Sequence, residues 1–405
     1  MRVFLIDKGK EYSYDELLSL LNAEQIYCPL FRGTDLFAYF CNLIRALACG
    51  KSLILLDSDL SSSEIDGIDE DEINKSIALD RCHFNSISDV VDAIEASPSE
   101  ITIFTSGTTG QPKKVIHTIA SLTRSVRKGE KYQNQVWGYA YNPTHMAGLQ
   151  VFFQAFENLN TLVNVFNAGR LDVYAAIEEN QITHLSATPT FYRLLLPFGR
   201  AYPSVQRVTL GGEKSDWHLY DAIGRIFPNA KINNVYASTE AGSLFAAKGD
   251  CFQIPSAIKD KFEVKDKELM IHKSLLGQSD RLKFDGDHYH YGDIIEWVAE
   301  ANGLFRFSSR KNELINVGGY KVNPGETENA ILSINGVRQA LVFGKPNAIL
   351  GNVLCAEVLL EEGAELKEVD IRKILKEHLQ DFKIPRKIKF VESFSLTRTG
   401  KLKRS

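Results

Sequence analysis

The segment Ile101-Thr-Ile-Phe-Thr-Ser-Gly-Thr-Thr-Gly-Gln-Pro-Lys-Lys114 decides how the rest of the sequence is interpreted. Its β-branched and aromatic beginning predicts a strand, which leads into a loop with two glycines, four hydroxyl side chains and a lysine. Such a loop offers backbone N–H groups, hydroxyl donors and a cation to a polyphosphate. The segment therefore predicts a phosphate-binding loop at the end of a strand.

This loop differs from the Walker sequence, which requires a glycine, four further residues and then Gly-Lys-Ser/Thr. Gly50-Lys51-Ser52 supplies the second half of that pattern, but Arg45 stands where the first glycine is needed. We therefore do not expect a P-loop NTPase.

Residues 100 to 240 alternate between short strand-like runs and longer segments with helical periodicity. The predicted strands are Ile101–Thr105, Val136–Tyr141, Leu162–Phe166, Thr183–Ala187, Val205–Leu210 and Ile232–Tyr236, and the predicted helices are Leu149–Glu157, Val173–Glu179, Phe191–Leu196 and Asp216–Ile226. This alternation predicts an α/β fold with a mainly parallel sheet flanked by helices. Loops at the carboxyl ends of such strands usually carry the functional site.

The last hundred residues follow a different pattern. Ile371, Ile374, Leu375 and Leu379 fall on one helical face, and strand-like runs surround this segment at Ala340–Gly344, Val353–Leu360 and Lys387–Val391. We expect a small, mobile α+β domain here. The polar run at 308–312 predicts the boundary, which gives an N-terminal domain of residues 1–309 and a C-terminal domain of residues 310–405.

Composition narrows the class of function. With 405 residues, 44% of them apolar, the chain is long enough for two or three domains. A formal charge of -4 argues against a nucleic-acid partner and favours small-molecule chemistry. The six cysteines form no Cys-x-x-Cys pair, which suits a reducing compartment.

Targeting signals are weak in this sequence. The apolar run Val3–Ile6 is too short for a secretion signal. The longest apolar region, Leu36–Leu56, is interrupted by polar and charged residues, so we expect no membrane span. These features together predict a cytoplasmic protein.

The loop at 105–114 closely resembles the phosphate loop of the adenylate-forming superfamily. This superfamily includes acyl- and aryl-CoA synthetases, the adenylation domains of non-ribosomal peptide synthetases and firefly luciferase. The resemblance implies that ATP is bound here, and that Thr105 also contributes to a Mg²⁺ site. The implied phosphate-binding residues are Thr105, Ser106, Gly107, Thr108, Thr109, Gly110 and Lys113. Lys114 stands where the family usually has glycine.

Two further segments resemble the family's nucleotide site. Asn234-Val-Tyr-Ala-Ser-Thr-Glu-Ala-Gly242 is similar to its Tyr-Gly-x-Thr-Glu segment, with alanine at 237 in place of glycine. The resemblance implies that Tyr236 stacks on adenine, that Thr239 reaches phosphate and that Glu240 holds Mg²⁺. Leu210-Gly-Gly-Glu213 likewise implies that Gly212 and Glu213 line the adenine pocket.

The ribose and hinge segments follow. Tyr289-His-Tyr-Gly-Asp293 resembles the family's Gly-Asp segment, which implies that Asp293 accepts hydrogen bonds from the ribose hydroxyls. The run from Ser309 to Glu328 resembles the interdomain segment, which implies that Arg310 contacts ribose. Asn312 aligns with the hinge, although family members more often have aspartate or lysine there. The implied thiolation turn is Gly318, Gly319 and Tyr320.

The sequence ends Leu396-Thr-Arg-Thr-Gly-Lys-Leu-Lys-Arg-Ser405, which resembles the family's terminal Thr-x-x-Gly-Lys motif. The resemblance makes Lys401 the catalytic lysine. A cation between the carboxylate of the substrate and the α-phosphate stabilises charge that develops during the displacement.

One segment points to a subgroup. Tyr141-Asn-Pro-Thr-His-Met-Ala-Gly148 resembles the Pro-x-x-His-x-x-Gly segment of acyl- and aryl-CoA ligases, which implies that His145 borders the acyl site. Domains that activate α-amino acids usually have an aspartate in this stretch, and this chain has Asn142. The segment therefore favours a carboxylic acid without an α-amine.

The resemblance implies an AMP-forming acid–thiol ligase. ATP and Mg²⁺ are its expected cofactors, and a small carboxylic acid is its expected substrate. The favoured thiol is coenzyme A, and the pantetheine of an acyl carrier protein is the alternative. A nucleotide-binding protein without catalysis is the remote alternative. Before residue 100 the chain is short for the family, so we expect a reduced first subdomain.

Overall fold

The computed structural model describes residues 2–58, 65, 67–80, 82–105, 112–213, 215–248, 251–318, 320–347, 351–395 and 402. Within these residues the strands form four sheets. No helix among them is both long enough and apolar enough to cross a bilayer.

The first part of the chain builds a four-stranded sheet and a two-stranded sheet around a buried helix. Its elements are β1 (Val3–Asp7), β2 (Lys10–Ser13), α1 (Tyr14–Ala23), β3 (Ile26–Tyr27), β4 (Leu30–Arg32), α2 (Leu36–Ala48), β5 (Leu53–Leu56), β6 (Ile77–Ala78), α3 (Ile87–Glu95), β7 (Glu100–Thr105), β8 (Lys113–Thr118) and α4 (Ile119–Thr123). The order β4-β5-β7-β8 is parallel except for β8, and β3 pairs with β6. Helix α2 is apolar almost all round and buried, as expected of a helix inside a core.

The next part forms the parallel half of a 14-stranded sheet. Its elements are β9 (Val136–Tyr139), α5 (Met146–Phe156), β10 (Thr161–Asn164), α6 (Arg170–Glu179), β11 (His184–Ala187), α7 (Pro189–Leu194), β12 (Arg207–Gly211), α8 (Trp217–Ile226) and β13 (Lys231–Ser238). The order β1-β10-β9-β11-β12-β13 is parallel throughout, with β2 antiparallel at the edge. The α/β architecture predicted from the sequence is confirmed, with element bounds displaced by a few residues.

The same sheet continues as an antiparallel half that the sequence analysis did not predict. Its strands are β14 (Gly242–Lys248), β15 (Cys251–Gln253), β16 (Phe262–Lys265), β17 (Glu268–His272), β18 (Phe284–Asp285), β19 (His288–Ala299) and β20 (Leu304–Arg310). Their order from β13 is β14-β15-β20-β19-β17-β16, with β18 on β19. An aromatic core that includes Phe245, Phe252 and Phe305 holds this half together.

The last part is a small α+β unit, as the sequence predicted. Its elements are β21 (Ile315–Val317), β22 (Tyr320–Val322), α9 (Pro324–Leu332), β23 (Val337–Asn347), β24 (Gly351–Leu360), α10 (Glu368–His378) and β25 (Lys387–Phe390). The sheet has the order β22-β21-β24-β23, with β25 parallel to β24. Ile371 and Leu375 of α10 are fully buried in its core.

Short 3₁₀ turns complete the described structure. They lie at Glu70–Glu72, Glu130–Tyr132, Ser256–Lys261, Lys273–Leu275, Glu300–Asn302, Lys311–Glu313 and Asp381–Lys383.

Candidate functional site

A groove of about 860 Å³ lies between one face of the parallel sheet and helix α5. Side chains alternate across a strand, so β12 directs Arg207 and Thr209 into the groove and buries Val208 and Leu210 on its other face. The groove-facing side of α5 is formed by Ala147, Gln150, Val151 and Gln154. Its opposite side, rich in phenylalanine, packs into the core.

The strand register gives the groove a direction. Trp137, His184, Arg207 and Lys231 are neighbours across β9, β11, β12 and β13, and all four line the groove near the amino ends of these strands. We call this the amino end of the groove. The carboxyl end of the groove is formed where the same strands finish, by Tyr141, Asn142, His145, Gly211, Gly212 and Thr239.

At the carboxyl end, one buried carboxylate holds the start of α5. Asn142 Nδ2 donates to Asp57 Oδ1 over 2.7 Å, and His145 Nε2 lies 3.0 Å from Asp57 Oδ2. Because a carboxylate only accepts hydrogen bonds, His145 carries its proton on Nε2 in this pair. The structure therefore places His145 at the groove and adds Asp57, which no sequence motif marks.

Gly148 is required for this arrangement. A Cβ atom there would lie 2.2 Å from the backbone oxygen of Asn142 and 2.9 Å from Tyr139 Oη. Any side chain at 148 would push the Asn142 segment away from α5. This close approach explains why glycine follows the histidine in the segment singled out from the sequence.

The turn between β13 and β14 carries Thr239 and Glu240, and neighbouring elements hold its backbone. His117 lies with Nε2 2.8 Å from the oxygen of Thr239, and the N–H of Gly277 donates to the oxygen of Glu240 over 2.7 Å. Arg124 donates to the oxygen of Ala241. Burial lowers the pKa of His117 to about 4, so this imidazole is neutral at pH 7. No sequence motif marks His117 or Arg124.

The Glu240 carboxylate fits the role of a Mg²⁺ ligand. Among the described residues its side-chain contact is a long hydrogen bond of 3.4 Å from Tyr291 Oη to Oε2, so lone pairs remain for a cation. No group of three or more His, Cys, Asp or Glu in the described part of the chain has the arrangement of a metal site. A single carboxylate is sufficient where phosphate oxygens and water supply the other ligands, as Mg²⁺ prefers.

Three predicted nucleotide-site residues meet beside this turn. Tyr236 Oη donates to Asp293 Oδ2 over 2.7 Å, and Arg310 Nε lies 2.9 Å from Asp293 Oδ1. Burial raises the pKa of Asp293, against the opposing effect of Arg310 and Tyr236. The Tyr236 ring lies nearly parallel to the rings of Phe245 and Phe307, with centroids 5.0 and 4.8 Å away.

Glu268 lies next to the cluster of Tyr236, Asp293 and Arg310, and no sequence motif marks it. It accepts from the N–H of Gly292 over 2.8 Å, from Lys311 Nζ over 3.0 Å, and its Oε2 lies 3.0 Å from His290 Nδ1. Burial alone would raise the pKa of Glu268, but these hydrogen bonds lower it overall. Its ion pair with Lys311 joins β17 to the turn that contains Asn312.

Gly212 and Glu213 form the turn after β12. Gly212 has φ +80°, a conformation that favours glycine. Glu213 Oε2 accepts a hydrogen bond of 2.9 Å from the N–H of Thr190, close to the start of α7. The carboxylate thereby joins the ends of β11 and β12.

Several predicted residues are not brought to the groove or lie outside the described residues. Lys113 pairs in register with Thr105 at the two ends of the predicted phosphate loop. Gly318 has φ +58°, and Tyr320 is exposed and stacks on Phe382 of the small unit, with centroids 4.4 Å apart. Outside the described residues lie Ser106, Gly107, Thr108, Thr109, Gly110, Gly319 and Lys401, together with the side chains of Thr105 and Asn312.

Comparison with known families gives two matches. Residues 45–264 match the family model of the AMP-binding enzyme, and residues 326–401 match that of the AMP-binding enzyme C-terminal domain. The first model alone covers more than half of the chain.

Curated relatives are moderately similar. A 4-hydroxybutyrate–CoA ligase from Metallosphaera sedula is 27% identical over 79% of this chain and 64% of its own length. A 2-succinylbenzoate–CoA ligase from Staphylococcus epidermidis is 27% identical over 75% of this chain and 68% of its own length. The chain thus spans about two thirds of the length of these relatives.

Solved structures share the fold. The o-succinylbenzoate CoA synthetase from Bacillus subtilis, in complex with an acyl-adenylate, has a TM-score of 0.70 at 19% identity and covers 99% of this chain and 94% of its own. An anthranilate CoA ligase in complex with anthranoyl-AMP has a TM-score of 0.75 at 15% identity, with 99% and 92% covered.

Proposed function

The chain belongs to the AMP-binding enzyme family, and from this premise we propose that it activates a carboxylic acid with ATP and transfers the acyl group to coenzyme A. The observation that carries the proposal is the meeting of Tyr236, Asp293 and Arg310 beside Glu240, next to the carboxyl end of a groove large enough for an acid. The names of the curated relatives, which are CoA ligases, agree with this reaction class.

In the first half-reaction an oxygen of the substrate carboxylate attacks the α-phosphorus of ATP. A C–O–P linkage forms, the bond to the β-phosphate oxygen breaks, and pyrophosphate leaves. Asp293 and Arg310 hold the ribose, and Thr239 lies at the turn that faces the phosphates. His145, held by Asp57, positions the acid at the carboxyl end of the groove. Holding both reactants in place supplies much of the acceleration in such displacements.

Glu240 would hold the Mg²⁺, with Thr105 assigned to the same site by the family resemblance. The ion supplies charge neutralisation at the phosphate oxygens when it is bound.

Lys401 is the proposed catalytic cation for this step, and the match to the C-terminal family model extends to it. We assign residues 310–405 to a mobile domain that rotates about Asn312 between half-reactions. That rotation would withdraw Lys401 and bring in the turn of Gly318, Gly319 and Tyr320. The ion pair of Lys311 with Glu268 lies at this junction and would have to adjust. Hinge closure of this kind is common in enzymes.

In the second half-reaction the thiol sulfur attacks the acyl carbon. A C–S bond forms, the bond from carbon to the phosphate oxygen breaks, and AMP leaves. Coenzyme A is the proposed acceptor because the curated relatives are named as CoA ligases. Faster transfer to a carrier-protein pantetheine than to coenzyme A would replace this assignment and leave the first half-reaction intact.

The test is ATP-dependent hydroxamate formation with a panel of carboxylic acids, applied to Lys401→Ala. Loss of the cation should lower the rate on the order of 100-fold or more. Lys403→Ala, which removes a neighbouring charge from the same tail, should retain the wild-type rate. Equal activity of Lys401→Ala and wild type would refute the role of Lys401. Absence of turnover by the wild type with every acid would refute the proposed function.

A further inference from the structure

Among the described residues, the arginine and lysine side chains that line the groove meet no opposite charge in its lining. Arg127, Lys131, Arg207 and Lys231 line it, and the described lining residues include no aspartate or glutamate. A groove whose described lining has four cations and no carboxylate attracts anions. The activated carboxylate of an acid substrate would supply only one negative charge, and it belongs at the opposite end.

These cations gather at the amino end. Arg207 and Lys231 belong to the row that defines it. The backbone N–H of Arg127 donates to Gln154 Oε1 over 2.9 Å, and Gln154 is the last groove-facing residue of α5. Lys131 lies with Nζ 5.0 Å from the centre of the Tyr132 ring.

Arg207 is the best placed of the four to bind a ligand. It is half-buried, whereas Arg127, Lys131 and Lys231 are exposed and therefore more strongly screened by salt. Within the described part of the chain its guanidinium has no side-chain hydrogen bond and no carboxylate partner, and the same holds for the Lys231 ammonium. A guanidinium offers five donors in a planar fork that matches a carboxylate or a phosphate.

The two ends of the groove are too far apart for one carboxylate to reach both. Arg207 and Gly211 are four residues apart on β12, which corresponds to about 13 Å along the strand. Between them the groove is lined by polar and apolar side chains together, among them Thr209, Asn233 and Val151. An extended spacer fits along this path.

We propose that the acid activated by this enzyme carries a second anionic group, and that Arg207 binds this group at the amino end of the groove. The inference rests on the proposed function for the assignment of the carboxyl end to the reacting carboxylate. An acid with an apolar tail would place hydrocarbon against the cations and remove their water without replacing its hydrogen bonds. The cationic end thus selects for a doubly anionic substrate.

The first test compares acids of matched length that differ only in the distal group. Suberic acid and octanoic acid form one pair, and adipic and sebacic acids bracket the spacer length. We expect kcat/KM in the hydroxamate assay to favour the best diacid over its monoacid on the order of 10- to 100-fold. An ω-phosphono acid of the same length separates a preference for phosphate from one for carboxylate.

The second test removes the cation. Arg207→Gln should raise KM for the diacid on the order of 10- to 100-fold, with little change in kcat or in KM for ATP and coenzyme A. Activity with octanoic acid should be unchanged or improved. Arg225→Gln is the matched control, because Arg225 is an exposed α8 residue paired with Asp221 outside the groove. Arg207→Glu should shift preference towards the ω-amino acid of the same length.

Equilibrium binding of suberic and octanoic acids, measured by calorimetry with ATP absent, keeps the inference testable if turnover is low. Tighter binding of the diacid that is lost in Arg207→Gln supports the anion site at Arg207 even if no acid is activated, in which case only the proposed function fails. The inference is overturned, while the proposed function stands, by either of two results. One is turnover and binding that favour the monoacid, and the other is a KM for the diacid that Arg207→Gln does not change. A KM change confined to ATP or coenzyme A also overturns it.

Discussion

The carboxyl and amino ends of the groove differ in how their polar side chains are satisfied. At the carboxyl end, Asn142 and His145 share the Asp57 carboxylate and His117 lies within hydrogen-bond distance of the carbonyl of Thr239. At the amino end, Arg207 and Lys231 have no such partner among the described residues. Groups fixed before a ligand arrives suit chemistry that is the same in every turnover. Groups without a partner in the described structure suit recognition, because a bound ligand can supply the partner.

The two ends share one property. Burial lowers the pKa of His117 at the carboxyl end and of His184 at the amino end to about 4, and Arg207 contributes to the effect on His184. Both imidazoles are therefore neutral at pH 7. The positive charge of the groove therefore comes from its arginine and lysine side chains.

The largest effect on the contrast between the ends is expected from Gly148→Ala. The added methyl group would meet the backbone oxygen of Asn142, and backbone cannot easily move aside. The packing at the carboxyl end of the groove should therefore loosen. We expect a loss of about 3 kcal/mol in the free energy of unfolding and a severe loss of adenylation. Urea denaturation and the hydroxamate assay measure the two effects.

Gly224→Ala is the control for Gly148→Ala, because no described atom beyond its chain neighbours and the backbone of its own helix lies within 4 Å of a Cβ atom at that α8 position. This variant should be as stable as wild type or slightly more stable. Similar stability for the two variants would show that the close approach at Gly148 is not needed.

An intermediate effect is expected from Asp57→Asn. Asparagine offers one oxygen in place of two, so either Asn142 or His145 loses its acceptor. The carboxyl end would then contain a polar side chain without its partner, as the amino end does among the described residues. We expect a rate of adenylation about 10- to 100-fold lower. Steady-state kinetics with a saturating acid measure this. Asp266→Asn, at an exposed turn with φ +51°, makes the same chemical change outside the site and should leave the rate unaltered. Unchanged kcat in Asp57→Asn would show that His145 needs no anchor.

The smallest effect is on the pH dependence of stability. Because the pKa of His184 is about 4 in the folded state and near 6.5 when unfolded, the unfolded state binds more protons between these values. The contribution of the neutral His184 to the free energy of unfolding is fully present above pH 6.5 and is lost as the pH falls towards 4. For one such histidine the loss is roughly 1 kcal/mol between pH 6.5 and 5.5.

His184→Gln should remove this contribution and leave that of His117. Arg207→Gln should reduce it, because the pKa of His184 rises when the neighbouring charge is lost. Urea midpoints measured across this pH range give the comparison. Identical pH dependence in wild type and His184→Gln would contradict the assignment.

Sequence patterns predicted the elements of the parallel half and of the small unit because both depend on local periodicity. The run at 205–210 became β12 and the apolar face of residues 371–379 became α10. The antiparallel half escaped prediction, since its strands are held by aromatic contacts such as Phe245 with Phe305 that link distant positions. Propensity does not register such contacts.

The identity of the chemistry follows from residue types in fixed local order: the glycine and hydroxyl loop at 105–113, the segment from Tyr236 to Glu240, Asp293 and the lysine at 401. Local order is preserved on folding, so the sequence by itself determined the family and the α/β class. The tertiary structure alone decided that Asp57 meets His145 across 88 positions and that Arg207 and Lys231 stand side by side with no carboxylate partner among the described residues. Strand register and helix packing create these contacts between positions far apart in the chain, and a linear pattern carries no signal for them.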